Sequence, residues 1–225
     1  MIIVTGASRG LGRAVAERLV QQGHEVVGLS RSTADVGFRS LQVDVSSEAS
    51  VKDVVKEIRA LGTAPSALIN AAGIASMNLA VMMPSASVRK VVDTNLLGTI
   101  FMCQAVAPLL IRAGGGSIVN FSTIAVPLAL EGESVYAASK AGVETFSRTL
   151  SRELAGHGVA VNCVAPGPIA TDLLKGVSED QVRSITERQI IRRRFDAADV
   201  CDVLEILLDP RSRSLTGHVL HIGGV

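Results

Sequence analysis

Residues 5–12 read Thr5-Gly6-Ala7-Ser8-Arg9-Gly10-Leu11-Gly12, between a short apolar run and a segment whose apolar residues recur at helical spacing. The glycines follow the pattern G-x-x-x-G-x-G. Without Cβ atoms such residues take a tight turn and let backbone approach a charged group closely. A helix beginning at that turn points its unpaired N–H groups and its positive end at the same place. Strand, glycine turn and helix in this order therefore form an anion cradle of the kind that opens a dinucleotide-binding sheet. Two other readings compete. Gly6-Ala7-Ser8-Arg9-Gly10 also fits the G-x-S-x-G elbow of serine hydrolases, with Ser8 as nucleophile. That chemistry needs an earlier loop for its oxyanion hole, and in the sequence as given only five residues precede Gly6. A P-loop would need Gly-Lys-Ser/Thr, which does not follow.

Outward from the turn, short apolar runs alternate with longer amphipathic segments, as in a parallel sheet with crossover helices. Strands are predicted at 2–5, 25–30, 40–43, 67–70, 117–122, 160–164 and 218–222, and helices at 11–22, 47–61, 85–112, 134–155 and 197–208. The third of these helices is long enough to be bent or broken. About ten residues separate the second and third strands, fewer than a helical crossover usually takes. The fold class is α/β, a doubly wound, Rossmann-type, seven-stranded parallel sheet in a single domain over 1–225. Residues 173–194, polar and weakly patterned, are read as a lid over the substrate.

The chain has 225 residues, 48% of them hydrophobic, and a formal net charge of +1. It can bury a sizeable core, and its balance of charge gives no reason to expect nucleic acid or an anionic membrane as a partner. The apolar stretch at residues 2–4 is too short for a signal peptide or membrane span, so a cytoplasmic location is expected. Cys103, Cys163 and Cys201 are too far apart for a C-x-x-C pair and are read as reduced, buried hydrophobes. No metal site is expected. His218 and His221 would face opposite sides of a strand, and His24 and His157 lie near helix ends.

Further motifs follow the glycine turn in order. They are Asp44-Val45, Asn70-Ala71-Ala72-Gly73, Asn95, Tyr136-Ala137-Ala138-Ser139-Lys140, and Pro166-Gly167 leading through Ile169 to Thr171. In this combination and spacing the chain resembles the short-chain dehydrogenase/reductase family over nearly its whole length, and within it the group of 3-oxoacyl-acyl-carrier-protein reductases. The resemblance implies that Gly6, Ser8, Arg9, Gly10, Leu11 and Gly12 hold the cofactor pyrophosphate, that Asp44 and Val45 contact adenine, and that Asn70 to Gly73 flank the cofactor. It also places Pro166, Gly167, Ile169 and Thr171 around the nicotinamide, has Lys140 hold the nicotinamide ribose, and gives Asn95 a water in a proton relay. Self-association into a homo-oligomer is implied as well.

Tyr136 and Lys140 lie four residues apart, on one face of a predicted helix. Free tyrosine titrates near pH ~10, and a nearby ammonium favours the phenolate. The pair therefore suits a general acid that protonates a carbonyl oxygen while hydride reaches the carbon, with the roles reversed for an alcohol. Taken alone, the two would be an amphipathic-helix tyrosine and a surface lysine. Tyr136 is, however, the only tyrosine, and it stands at the family's spacing from the other motifs. The family places a serine thirteen residues before the tyrosine, where this chain has Thr123. Ser122 is one residue early and should face the other way in a strand. Thr123 is the expected third catalytic residue, its hydroxyl still able to donate and its methyl group crowding the site.

At the end of the second strand, where an NAD-preferring protein carries an acid, this chain has Ser30, followed by Arg31, and Arg9 lies in the glycine turn. Two guanidinium groups suit a 2′-phosphate, so NADP(H) is the expected cofactor. Arg183, Arg188, Arg192, Arg193 and Arg194 make the lid basic, partly offset by Glu179, Asp180 and Glu187. A solvated helix face explains this, and attraction of an anionic carrier is the sharper alternative. The substrate is expected to be a small-molecule carbonyl or one linked to an acyl carrier, with acyl, sugar and cyclic ketones all compatible. A non-catalytic NADP(H)-binding protein on the same fold is the other reading, for which the threonine at position 123 is the main support.

Overall fold

The computed structural model describes residues 1–33, 35–169 and 178–225. Seven strands form one sheet: β1 Ile2–Thr5, β2 Val26–Ser30, β3 Arg39–Gln42, β4 Ala67–Asn70, β5 Gly116–Phe121, β6 Val159–Ala165 and β7 Val219–His221. Every neighbouring pair is parallel, in the order β3-β2-β1-β4-β5-β6-β7. β1, β2, β4, β5 and β6 are buried along their whole length, because helices cover both faces and each strand must be apolar on both sides. β3 alternates between exposed and half-buried residues, as befits an edge.

The helices are α1 Gly10–Gln21, α2 Glu48–Ala60, α3 Ser85–Val92, α4 Gly98–Arg112, α5 Ala125–Leu128, α6 Ser134–Leu154, α7 Glu179–Glu187 and α8 Ala197–Leu208. Side chains alternate along the strands. Ile3, Leu68, Ile118 and Val161 pack on one face with Ile58, Met102 and Leu110. Val4, Ile69, Val119 and Val164 pack on the other with Val15, Leu19, Val200 and Leu204.

The long run at 85–112 is apolar enough to cross a bilayer, but half of its most apolar window is buried inside the fold, as in a core helix. It is interrupted by a π-helical turn at Asp93–Leu97. Such turns push one residue out of the regular helical register and recur at functional sites. Among the described residues no helix joins β2 to β3, as their short separation implies.

The chain runs outward from β1 in both directions, so the strand order reverses between β1 and β4. Loops leaving the carboxyl ends of these two strands part to opposite faces and open a crevice there. The turn after β1 and the Ala71-Ala72-Gly73 loop after β4 are the two lips. They are tied by a hydrogen bond from the Ala72 amide to Thr5 Oγ1 at 3.0 Å. A Cβ on Gly6 would lie 2.9 Å from the Ala72 backbone, so only glycine fits at that crossing.

Candidate active site

A cleft of about 900 Å3 runs along the carboxyl ends of the strands. One half is lined by the glycine turn (Gly6, Ser8, Arg9, Gly10, Leu11, Gly12), by Ser30 and Arg31 after β2, and by Asp44 and Val45 after β3. Ala71, Ala72 and Gly73 form its floor, and Thr123, Tyr136, Lys140, Pro166, Gly167 and Ile169 line the other half. Nearly all the residues singled out in the sequence thus share one surface. Thr171 lies outside the described residues, as does the start of the lid at 173.

The first half suits an extended anionic ligand. α1 begins at Gly10 with no side-chain cap from Arg9 and no acidic residue in its first turn. Its opening N–H groups therefore face the cleft with their donor capacity and the positive helix end intact. A Cβ on Gly12 would sit 2.5 Å from the Gly6 carbonyl oxygen, so the tight turn itself requires glycine there. Ser30 carries no charge and donates to the Ser32 carbonyl at 2.7 Å. Arg9 and Arg31 are exposed at the rim. Asp44 Oδ1 accepts from the Ser46 amide and hydroxyl, which fixes the carboxylate at the loop after β3. These features, an uncapped helix start, glycine clearance and a rim with cations but no acid at position 30, fit a phosphorylated dinucleotide.

In the second half, α6 carries a buried stripe that includes Tyr136, Ser139, Lys140, Val143, Glu144 and Ser147. This spacing turns Tyr136 and Lys140 toward the end of β5. Lys140 Nζ donates to the carbonyl of Phe121, the last residue of β5, at 2.7 Å. Burial lowers its pKa to about 8. Tyr136 is only 8% exposed, and its phenol is pushed well above the usual value. Burial is the main cause and the Glu133 carboxylate adds to it, while the neighbouring Thr123 hydroxyl pulls the other way. The acidification of Tyr136 by Lys140 expected from their spacing is therefore not what the chain alone provides. The ammonium is held against a strand carbonyl, and desolvation dominates the phenol.

β5 ends at Phe121, one residue earlier than expected from sequence, and residues 122 and 123 diverge. The Ser122 hydroxyl donates to Glu144 Oε1 at 2.6 Å, away from Tyr136. Thr123 keeps its hydroxyl by Tyr136, and its Oγ1 also accepts the Ala125 amide at 3.2 Å. Thr123 is thus the hydroxyl beside Tyr136.

Asn95 sits in the π turn and is fully buried. Its Oδ1 accepts from the Ile74 amide, and its Nδ2 donates to the Ile74 carbonyl, each at 2.9 Å, and to Ser139 Oγ at 3.1 Å. Its side chain is engaged in clamping the loop after β4 to α6, so the expected water would have to use other atoms, such as its carbonyl. Asn70, expected at the cofactor, is turned into the core instead. It is 2% exposed and its Nδ2 donates to Asn120 Oδ1 at 2.9 Å. The residues after it, Ala71 to Gly73, reach the cleft instead.

Three features escaped the sequence reading. The segment expected to be a lid contains, among its described residues, a regular helix, α7, announced by a capping box in which Ser178 and Gln181 bond each other's backbone. Ile185 of α7 lines the cleft. The arginines around α7 are largely paired: Arg183 with Asp180, Arg193 with Asp199, Arg194 with Glu179, and Arg188 with the Leu128 carbonyl at 2.6 Å. A free basic patch is therefore not presented there. Glu133, buried in the cleft wall, was not anticipated at all. Among the described residues no histidine lines the cleft, so Ser8 has no base there and the hydrolase reading has nothing to act with. Among the described residues no cluster of His, Cys, Asp or Glu could hold a metal ion. The three cysteines are buried and unpaired.

A family profile described as enoyl-(acyl carrier protein) reductase matches residues 6–224. The 3-oxoacyl-[acyl-carrier-protein] reductase of Staphylococcus epidermidis is 32% identical, with 99% of this chain and 96% of that protein covered. The enzyme of the same name from Escherichia coli is also 32% identical, over 99% of this chain and 95% of the relative. Among solved structures, the ligand-free aldohexose dehydrogenase of Thermoplasma acidophilum superposes with a TM-score of 0.90 at 28% identity, covering 99% of this chain and 92% of that one. A short-chain type dehydrogenase/reductase of Mycobacterium ulcerans superposes with a TM-score of 0.92 at 25% identity, covering 99% and 88%. With a family match over residues 6–224, relatives above 30% identity over nearly its whole length and the same fold in solved members, the chain belongs to the short-chain dehydrogenase/reductase family of oxidoreductases.

Proposed function

We propose that this protein is an NADP(H)-dependent reductase of carbonyl compounds, with Tyr136 as the proton donor and Thr123, Lys140 and Asn95 supporting it. The observation that carries the reading is the meeting of Tyr136, Thr123 and Lys140 at one end of a cleft whose other end is an uncapped helix N-terminus with arginines at its rim. A bound reduced nicotinamide supplies the hydride that goes to the carbonyl carbon. The chain does the rest. Thr123 donates a hydrogen bond to the substrate oxygen as negative charge develops on it. Tyr136 enters the reaction protonated, because burial and Glu133 hold its pKa up. An alkoxide is far more basic than a phenolate, so a phenol above its usual pKa still gives up its proton downhill. The reverse reaction needs the phenolate first, so reduction is the direction this environment favours at neutral pH. Lys140 keeps positive charge next to the strand end where that proton leaves, and Asn95 fixes the loop and helix between which the site is held.

The cofactor preference rests on Ser30 in place of an acid and on Arg9 and Arg31 at the rim. Relatives named as 3-oxoacyl-[acyl-carrier-protein] reductases make 3-oxoacyl thioesters, carrier-linked or free, the first substrates to examine. Exposed Ile206 on α8 and Leu215 before β7 support self-association on that side. We expect the protein to work in the cytoplasm. Monitoring NADPH oxidation at 340 nm with 3-oxoacyl thioesters, diketones and sugar ketones tests the proposal. Turnover of at least one class with a clear preference over NADH is the expected result. Tight NADPH binding with no turnover of any carbonyl would instead favour the non-catalytic reading.

A further inference from the structure

We propose that Glu133 selects the substrate, its carboxylate accepting a hydrogen bond from a hydroxyl or ammonium group carried next to the carbonyl that Tyr136 protonates. The inference rests on the carbonyl-reductase reading and narrows it. Glu133 is 8% exposed and lines the same cleft as Tyr136, Thr123, Leu130 and Ile185. It occupies the residue just before α6, where its own carbonyl accepts from the Ala137 amide at 2.7 Å, but its side chain makes no cap for the helix. It stands three positions before Tyr136, which places both at the cleft-facing start of one helix. The charge of Glu133 is felt at the Tyr136 hydroxyl, so the carboxylate lies on the reacting side of the cleft.

Among the described residues no N–H, hydroxyl or cation bonds this carboxylate. The cations Arg31, Lys90 and Lys140 on the cleft wall do not pair with it. Burying a carboxylate without a donor is costly, and here the cost shows as a pKa raised by desolvation. A helix cap or a neighbouring arginine would have relieved it. A substrate that brings its own donor does so only when bound, and that is how a polar pocket discriminates. The partner that lacks the donor leaves a buried charge unpaired. A plain 3-oxoacyl chain presents carbonyl oxygens, acceptors that a carboxylate repels. A hydroxyketone or an aminoketone presents the donor the site lacks.

The test compares kcat/KM with NADPH for three matched ketones: one with a hydroxyl beside the carbonyl, its amino counterpart, and the deoxy compound of the same length. Wild type, Glu133→Gln and Glu133→Leu are assayed, with NADPH binding followed by fluorescence to confirm an intact cofactor site. Wild type should prefer both donor-bearing ketones by about tenfold or more, mainly through KM. Glu133→Gln should keep the preference for the hydroxyl and lose that for the ammonium. Glu133→Leu should lose both preferences. If the substitutions lower kcat/KM for all three ketones by one common factor, Glu133 is merely structural and the assignment is overturned. If wild type prefers the deoxy ketone, it is overturned as well. If wild type reduces none of the three or any other carbonyl while binding NADPH, it is the reductase reading that falls, and this assignment with it.

Discussion

Replacing Thr123 and Ser122 separately distinguishes the two hydroxyls at the end of β5. The Thr123 hydroxyl is beside Tyr136, whereas Ser122 Oγ donates to the buried Glu144 carboxylate at 2.6 Å. If Thr123 donates to the developing alkoxide, Thr123→Ala removes one donor from a preorganised site. The loss of one such donor costs about 2.7–4 kcal/mol in the transition state, which is about 100- to 1000-fold in kcat. Thr123→Ser keeps the hydroxyl and drops only the methyl group, so it should recover most of the rate and accept bulkier ketones. Ser122→Ala should leave kcat within about threefold of wild type. It strips a hydrogen bond from Glu144, 6% exposed and held by Arg148 at 3.1 Å, and should cost about 1–3 kcal/mol of stability instead. Steady-state kinetics and thermal unfolding of the three variants read both quantities. Activity lost in Ser122→Ala and kept in Thr123→Ala would refute the assignment of the two side chains.

Lys140, its pKa lowered to about 8 by burial, carries its charge below that value and loses it as the pH rises through it. The kcat/KM for carbonyl reduction should therefore fall above about pH 8, and a pH profile flat to pH 10 would contradict a need for the ammonium. Tyr136 shifts the other way, so oxidation of the corresponding alcohol should be slow at pH 7 and rise toward alkaline pH until Lys140 is neutral. Arg31→Ala should lower kcat/KM with NADPH by about tenfold and leave NADH nearly unchanged, since a charged hydrogen bond to a 2′-phosphate is worth about 1.5 kcal/mol or more. An equal loss with both cofactors would remove Arg31 from the phosphate site.

Much of this arrangement was legible in the residues. Short, mostly apolar runs without a polar face belong in the middle of a parallel sheet, so β1, β4, β5 and β6 announced both the sheet and its two covering layers. The glycine turn was readable because backbone clearance leaves a direct mark on sequence, as Gly6 against Ala72 and Gly12 against Gly6 show. What was not legible depends on where side chains turn after a strand stops. Asn70 belongs to a recognisable run, yet its side chain turns into the core to bond Asn120. The electrostatics of Tyr136 were misjudged because spacing along a helix gives the nearest cation but not the depth of burial or the strand carbonyl that competes for it. Glu133 left no pattern, since a lone acid before a helix resembles an ordinary surface residue until the fold buries it. The capping box of α7 was visible as Ser178 and Gln181 and was overlooked in a polar stretch.

Substituting Tyr136 by phenylalanine addresses the chemistry most directly. The ring stays packed and the cofactor half of the cleft is untouched, so NADPH should bind as in wild type. Reduction of the best carbonyl substrate should fall by about 100- to 10,000-fold, the share a positioned general acid supplies. Wild-type turnover by the phenylalanine variant, with NADPH bound normally, would mean that the substrate oxygen takes its proton from somewhere else.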